Sequence, residues 1–243
     1  MNNRNRYHKR LILSIVIPVY NESDNILKTL EAIKKSIMVR HEIIIVYDFN
    51  EDTTLPILKK IRQKNLFIVR NNITRGPSGA IRTGIAKAKA PFILVTMADL
   101  CDDLSQVKDL LRLATEHDVD IVCPSRYTKG GRQELKAGLK VWFPRTAGYL
   151  LKVFAGIPTY DPTNSFKLYS RNVLRKLYLE STISFSVTLE IIVKAYVLGY
   201  KIGEIPTVWR DRQHGKTNFK LGQSLVVYFP WFLYPFLHRR TLR

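Results

Sequence analysis

Five short runs rich in Val and Ile, separated by four stretches of helical spacing, constrain the fold more than anything else in the chain. "LILSIVIPV" (11–19), "EIIIVY" (42–47), "LFIVR" (66–70), "FILVTM" (92–97) and "VDIVCPS" (119–125) read as strands. Between them, "SDNILKTLEAIKKSI" (23–37), "TLPILKKIRQK" (54–64), "SGAIRTGIAKAKA" (78–90) and "LSQVKDLLRLATEH" (104–117) read as helices. Ser23 or Asp24 would cap the first, and Pro56 sits in the first turn of the second. Strands this apolar need cover on both faces. The pattern therefore predicts an α/β fold, a mostly parallel Rossmann-like sheet with helices on each side.

In such open sheets the ligand crevice lies beyond the carboxyl ends of the strands. Those ends here are Tyr20-Asn21-Glu22, Asp48 to Asp52, Arg70-Asn71 and Asp99 to Asp103. Four loops thus bring polar and acidic residues to one rim, a convergence that strand packing does not require.

The acidic stretch "VTMADLCDD" (95–103) allows three readings: a metal site lacking one ligand, a metal site built differently, or a capped helix start. Met97 stands where an acid-x-acid metal motif would place its first acid, and a thioether is no ligand for a hard cation. Mg²⁺ or Mn²⁺ can be held by one or two carboxylates together with substrate phosphates. Asp99 is therefore the expected ligand. Asp102 reads either as its helper or as the N-cap of a helix starting near Asp103 or Leu104. A metal-free site using Arg and Lys is the remaining option.

Charge directs attention to the second half. Residues 126–152 carry Arg126, Lys129, Arg132, Lys136, Lys140, Arg145 and Lys152 against the single acid Glu134, and the whole chain has a net charge of +19. Such an excess suits polyanionic partners. Nucleic acid is not expected among them, because no helix-turn-helix, zinc-finger or stacked-aromatic motif is present and the rim is acidic. Two cysteines without metal spacing, Cys101 and Cys123, suit a reducing compartment. The apolar run after the basic N-terminus is short and broken by Pro18, unlike a signal peptide, so a cytoplasmic location is expected.

Further on, "DPTNSFKLYS" (161–170) reads as a turn into a strand, 186–199 as a buried helix ended by Gly199, and 200–212 as another strand. Glu190, inside that helix, is expected to organise the core, and Asp52 is also expected to be structural. Residues 221–237 carry no charge but hold Pro230 and Pro235. As a helix they would reach roughly 25 Å, short of a hydrocarbon core of about 30 Å. Tyr228, Trp231 and Tyr234 with His238, Arg239 and Arg240 suit a membrane interface, and a helix packed on the domain is the alternative. The expected division is a domain over 1–220 and an amphipathic C-terminal segment over 221–243.

The pieces "VIPVYNESDNI", "IIIVYDFNEDTT", "FILVTMADLCDD", "PSRYTKGG", "DPTNSFKLYS", "LEIIVKAYVLGYKIGEIP" and "DRQHGKT" occur in this order over roughly residues 12–220. Together they resemble the family 2 glycosyltransferases of the GT-A fold, in particular the polyprenyl-phosphate sugar transferases of the dolichol-phosphate mannosyltransferase type. The resemblance implies a nucleotide-sugar donor bound by Pro18, Tyr20, Asn21 and Glu22, with Asp48 near the base. It implies a divalent metal (Mg²⁺ or Mn²⁺) at Asp99, with Asp102 its helper or a cap as read above, and Arg126 and Arg212 near phosphates as catalytic groups. Tyr47, Phe49, Asn50 and Met97 depart from the family pattern.

The implied reaction is inverting transfer by in-line displacement at the anomeric carbon. A polyprenyl-phosphate acceptor is already ionised and needs a cationic cradle rather than a base. Arg126, Arg145 and Lys216 are the candidates for it. Such an enzyme would sit peripherally on an anionic membrane surface, at its cytoplasmic face. A sugar hydroxyl acceptor would need a general base, for which Asp161 is the candidate. A basic binding module with a degenerate transferase site is the third reading.

Overall fold

The computed structural model describes residues 10–134, 139–210 and 221–238. Strand β1 (Leu13–Pro18) leads through α1 (Ile26–Ser36) to β2 (His41–Tyr47), α2 (Thr54–Leu58), β3 (Leu66–Arg70), α3 (Pro77–Lys87) and β4 (Phe92–Val95). A 3-10 turn (Leu104–Gln106) opens α4 (Val107–Glu116), followed by β5 (Ile121–Ser125), the short β6 (Arg132–Glu134) and α5 (Leu139–Ala155). Then come β7 (Lys167–Ser170), α6 (Arg171–Lys176), α7 (Ser186–Val197), β8 (Ile202–Pro206), β9 (Val208–Arg210) and α8 (Leu221–Leu237).

Seven strands form one sheet in the order β3-β2-β1-β4-β7-β5-β8. All neighbours run parallel except β7, which is antiparallel to both β4 and β5. Alternation along β1 divides the core between the two faces. Val16 joins Ile44, Val46 and residues of α3 and α7 such as Ile81 and Ile191. Leu13, Ile15 and Ile17 join Ile26, Leu30 and Ile33 of α1 and Leu110 of α4 on the other face. A Cβ on Gly84 would stand 2.2 Å from Val16 Cγ1, so this glycine lets α3 lie close on β1. The mostly parallel sheet covered on both faces is therefore what the chain forms.

Several boundaries differ from the sequence reading. Helix α1 starts three residues late, at Ile26 after Asn25. Asn25 Nδ2 donates to Glu22 Oε2 at 2.8 Å, so neither Ser23 nor Asp24 caps the helix. The expected helix 54–64 ends at Leu58. Continuing it would stack Lys60 and Lys64 one turn apart, an unfavourable like-charge pair. The expected strand 200–212 breaks at Thr207, whose N–H donates to Ser125 O at 2.9 Å and whose hydroxyl donates to Gln106 Oε1 at 2.6 Å. Beyond the break, β9 pairs in parallel with β6 as a separate two-stranded ribbon.

Glu190 is fully buried and structural, as expected. It accepts from the N–H groups of Glu180 (2.7 Å) and Ser181 (2.9 Å) and from Lys194 Nζ (2.7 Å). Lys194 in turn lies 4.8 Å from the Trp231 ring centre on α8, a cation–π contact. Helix α8 packs one of its sides on the domain, the alternative reading of its sequence. Tyr228, Trp231, Phe232 and Tyr234 pack on the core, whereas Val226, Phe229, Phe236 and Leu237 are exposed. Helix α5 adds exposed Trp142, Phe143, Tyr149, Val153 and Phe154. Among the described residues no helix is long and apolar enough to cross a membrane.

Candidate active site

The parallel strands β1, β2, β4 and β5 end on one edge, which places the loops carrying Asn21, Asp48, Asp99 and Arg126 side by side. In the acidic loop the backbone leaves the sheet after Val95. Thr96 Oγ1 (2.8 Å) and the Met97 N–H (3.3 Å) both donate to Asp102 Oδ2. The cap of the following turn is Asp103, which accepts from the Ser105 N–H at 3.2 Å and its hydroxyl at 2.6 Å. The capping expected of Asp102 thus falls to its neighbour, and Asp102 bonds back to Thr96 and Met97.

Asp99 is buried and accepts from the Cys101 N–H at 3.2 Å. Between the two carboxylates Leu100 has φ +60, a left-handed conformation costing about 1–2 kcal/mol for such a residue. Strain of this kind collects at functional sites.

Burial first, and then the charge of Asp99, push the Asp102 carboxyl up to about 7. A carboxylate whose proton affinity is raised beside a second acid is one that a cation relieves. Carboxylate oxygens are the donors that Mg²⁺ or Mn²⁺ prefers, so Asp99 and Asp102 fit such an ion. Among the described residues no group of three metal-ligating side chains occurs, so phosphate oxygens and water would complete the shell.

A test on the protein alone follows from the sign of the shift. A carboxyl raised above its unfolded value takes up protons on folding between about pH 4 and 7, so stability falls as pH rises through that window. Thermal unfolding without divalent ions should show this fall. Asp102→Asn should flatten it and raise the melting temperature near pH 8. Parallel curves for the two proteins would contradict the assignment.

The donor-side loops are tied together by their polar groups. The Asn21 N–H donates to both oxygens of Asp52 (3.2 Å each), and the Thr53 N–H returns a bond to Asn21 Oδ1 at 3.1 Å. Asp52 is 1% exposed and also accepts from the Thr54 N–H at 2.8 Å, the structural clamp expected of it. The Glu22 N–H donates to Thr54 Oγ1 at 2.9 Å. Asp48 accepts from Asn71 Nδ2 at 2.6 Å and from the Gly76 N–H at 2.8 Å, joining the β2 and β3 loops rather than turning back on Asn50. Phe49 meets Tyr20 edge to face at 5.4 Å, with Arg75 5.9 Å from its ring centre. Pro18 closes β1 beneath this cluster.

On the opposite side Arg126 forms a forked pair with Asp161. Nε–Oδ2 is 2.7 Å and Nη2–Oδ1 is 2.8 Å, and the Arg126 N–H adds a bond to Oδ2 at 3.1 Å. Asp161 is fully buried and the Arg126 side chain is 12% exposed. Burial alone would raise the Asp161 carboxyl, but the charge and hydrogen bonds of Arg126 outweigh it and hold the group below the usual carboxylate range. Asp161 is thus half of a buried ion pair, with both oxygens bonded to Arg126, an arrangement that does not favour the general-base role for which it is the candidate.

Arg126 also stacks at 5.0 Å on Tyr127. Tyr127, Tyr160, Trp142, Tyr149 and Thr146 line a cavity of about 390 Å³ with Arg145. Arg145 thus shares this cavity with Tyr127, on whose ring Arg126 stacks. Arg212 and Lys216 lie outside the described residues. The Arg210 N–H donates to Cys101 O at 3.1 Å, so β9 ends against the acidic loop.

Sequence reading overlooked Lys167, which is fully buried below this site and donates to Asn164 O. Burial and the nearby Arg126 lower its proton affinity, although Asp161 counters them. A lysine within an apolar strand was the available signal, since an unpaired buried charge is costly.

Comparison with known proteins bears on this arrangement. The model of "Glycosyl transferase family 2" matches residues 14–178. The chain is 25% identical over 222 residues to a dolichol-phosphate mannosyltransferase of Pyrococcus furiosus, covering 89% of this chain and 61% of that protein. It is 26% identical over 230 residues to a dolichyl-phosphate beta-glucosyltransferase of Dictyostelium discoideum, covering 86% of this chain and 69% of that one. The fold is similar to that of glucosyl-3-phosphoglycerate synthase from Mycobacterium tuberculosis, crystallised with Mn²⁺, UDP-glucose and phosphoglyceric acid. There the TM-score is 0.72 at 15% identity, over 93% of this chain and 79% of that one. The likeness supports the GT-A architecture. The chain spans about three fifths of the length of the archaeal relative.

Proposed function

The chain belongs to glycosyl transferase family 2, and from that premise we propose that it moves a sugar from a nucleotide-sugar to a polyprenyl phosphate of the dolichyl type, with inversion. The observation that carries this reading is a juxtaposition. The carboxylate pair Asp99 and Asp102 lies on the rim that also bears Arg126, and beyond Arg126 an aromatic-walled cavity holds Arg145 beside the exposed apolar residues of α5.

Asp99 and Asp102 would hold the divalent ion, which supplies positive charge to a leaving diphosphate. Tyr20, Asn21, Glu22 and Asp48 stand on the loops that would receive the nucleotide. An acceptor phosphate is anionic without help and needs no general base. Arg145 would orient that phosphate, and the aromatic wall would take the first apolar units behind it. Arg126, fixed by Asp161, stays charged between the two halves and adds electrostatic stabilisation without reorganising.

The apolar residues exposed on α5 and α8 suit the interfacial layer of a membrane, and the basic stretch 126–152 suits its anionic, cytoplasmic face. Deleting α8 would be a poor test, because its other side packs on the core. Substituting Phe154, Phe229 and Leu237 by Ser touches exposed positions alone. The protein with radiolabelled nucleotide-hexoses, Mn²⁺ and dolichyl phosphate in anionic vesicles should give labelled lipid. The triple variant should sediment less with vesicles and label less lipid while unfolding at an unchanged temperature. Label on soluble hydroxyl acceptors with none in lipid would overturn the reading.

A further inference from the structure

Glu204 is an acid in the middle of an edge strand of the main sheet, its side chain only 8% exposed. Its bonds run toward the site. Oε1 accepts from the Thr159 hydroxyl at 2.8 Å and from the Tyr160 N–H at 2.6 Å, while Oε2 faces Lys152 Nζ at 3.4 Å. Thr159 Oγ1 in turn accepts from the Asp161 N–H at 3.0 Å. One buried hydroxyl thus links the Glu204 carboxylate to the backbone of Asp161, whose own carboxylate holds the Arg126 guanidinium.

Residues 159–161 belong to no helix or strand, so no backbone ladder sets their position. Two of their donors, the Thr159 hydroxyl and the Tyr160 N–H, go to Glu204. Tyr160 also lines the cavity with Arg145, and Lys152 Nζ lies 3.9 Å from its ring centre. The loop that carries both the partner of Arg126 and one wall of the cavity is therefore tied to one carboxylate of the edge strand. A buried acid in an edge strand is costly unless fully bonded, and here its bonds go to a loop rather than to the sheet.

We propose that Glu204 is a positioning residue: through Thr159 and Tyr160 it sets where the Asp161–Arg126 pair and the cavity wall stand, and it does not touch substrate. The consequence for turnover rests on the function proposed above, whereas the geometric relay does not. Gln at this position keeps an oxygen for Thr159 and Tyr160, and Lys152 can turn to solvent. Ala keeps neither bond, and Thr159→Val removes the hydroxyl link at nearly constant shape.

Two measurements test it. The first is the Nε–H proton resonance of Arg126, assigned by its loss in Arg126→Lys. It should be protected from exchange in the wild type and in Glu204→Gln, and lose protection in Glu204→Ala and Thr159→Val. The second is transfer to dolichyl phosphate. Glu204→Ala should lower kcat/KM on the order of tenfold to a hundredfold, as displacement of a fixed group does, with Gln restoring most of it. In an Arg126→Lys background the alanine change should add little, because the two act through one group.

Protection of Arg126 Nε–H in folded Glu204→Ala or Thr159→Val would overturn the relay, as would additive losses in the double variant. Should Glu204→Ala not fold, Thr159→Val and the Gln variant decide by the same resonance. An inactive wild type whose Arg126 resonance responds as stated would uphold the relay and sink the transferase reading instead.

Discussion

Arg126→Ala should lose stability and activity together. Removing the guanidinium leaves Asp161, which is fully buried, with an uncompensated charge in the core. Breaking one partner of a buried pair costs about 3–5 kcal/mol, a large part of an ordinary domain's stability. From its place after β5, Arg126 reads as a residue near phosphates, and the forked pair with Asp161 gives it a structural role as well. Arg126→Lys keeps the charge but loses the fork, so it should recover part of the stability and little of the transfer rate. Urea denaturation of the three proteins, read beside kcat/KM, checks this. An alanine variant as stable as the wild type would show that Asp161 finds another partner or takes up a proton.

Asp99→Asn should do the reverse, leaving stability intact and removing activity. The amide oxygen can still accept from the Cys101 N–H, so the loop keeps the bond that closes it. What is lost is one of the two charges that would hold the divalent ion. Losses of roughly a hundredfold to a thousandfold in kcat accompany removal of a single electrostatic contact to a developing charge. The variant should also relieve Asp102, whose carboxyl is pushed up partly by Asp99, and so should bring its titration down toward the usual carboxylate range. Steady-state transfer in excess Mn²⁺ is the measurement. Turnover like the wild type would remove Asp99 from the site.

Membership in glycosyl transferase family 2 makes both results readable, because departures from the family pattern fall at named places. Met97 offers sulfur where the family offers oxygen, yet its N–H donates to Asp102 and helps to aim that carboxylate. Phe49, in place of a small turn residue, is packed against Tyr20 at the donor rim. These substitutions keep the loops shaped while changing what they present.

The chain's periodicity was sufficient for the sheet. Strands β1, β3, β4 and β5 lie within the expected runs and β2 begins one residue early, because a buried strand needs an apolar run and a surface helix needs an amphipathic stripe, both local properties. Residue chemistry was sufficient to pick the acids of the rim and the basic second half. Three things were decided only in three dimensions. Strand β7 enters antiparallel between β4 and β5, which no local signal sets. Asp103 rather than Asp102 caps the turn, a choice between adjacent identical side chains that rests on which way the loop folds back over Thr96. Asp161, readable as a base by its position, is bound to Arg126 across 35 residues of sequence, and Glu204 reaches the same loop across 45. A sequence carries the charge of each group, but partners distant along the chain determine whether a buried carboxylate is a base, a ligand or half of an ion pair, because desolvation and pairing energies depend on neighbours that only the packed sheet brings together.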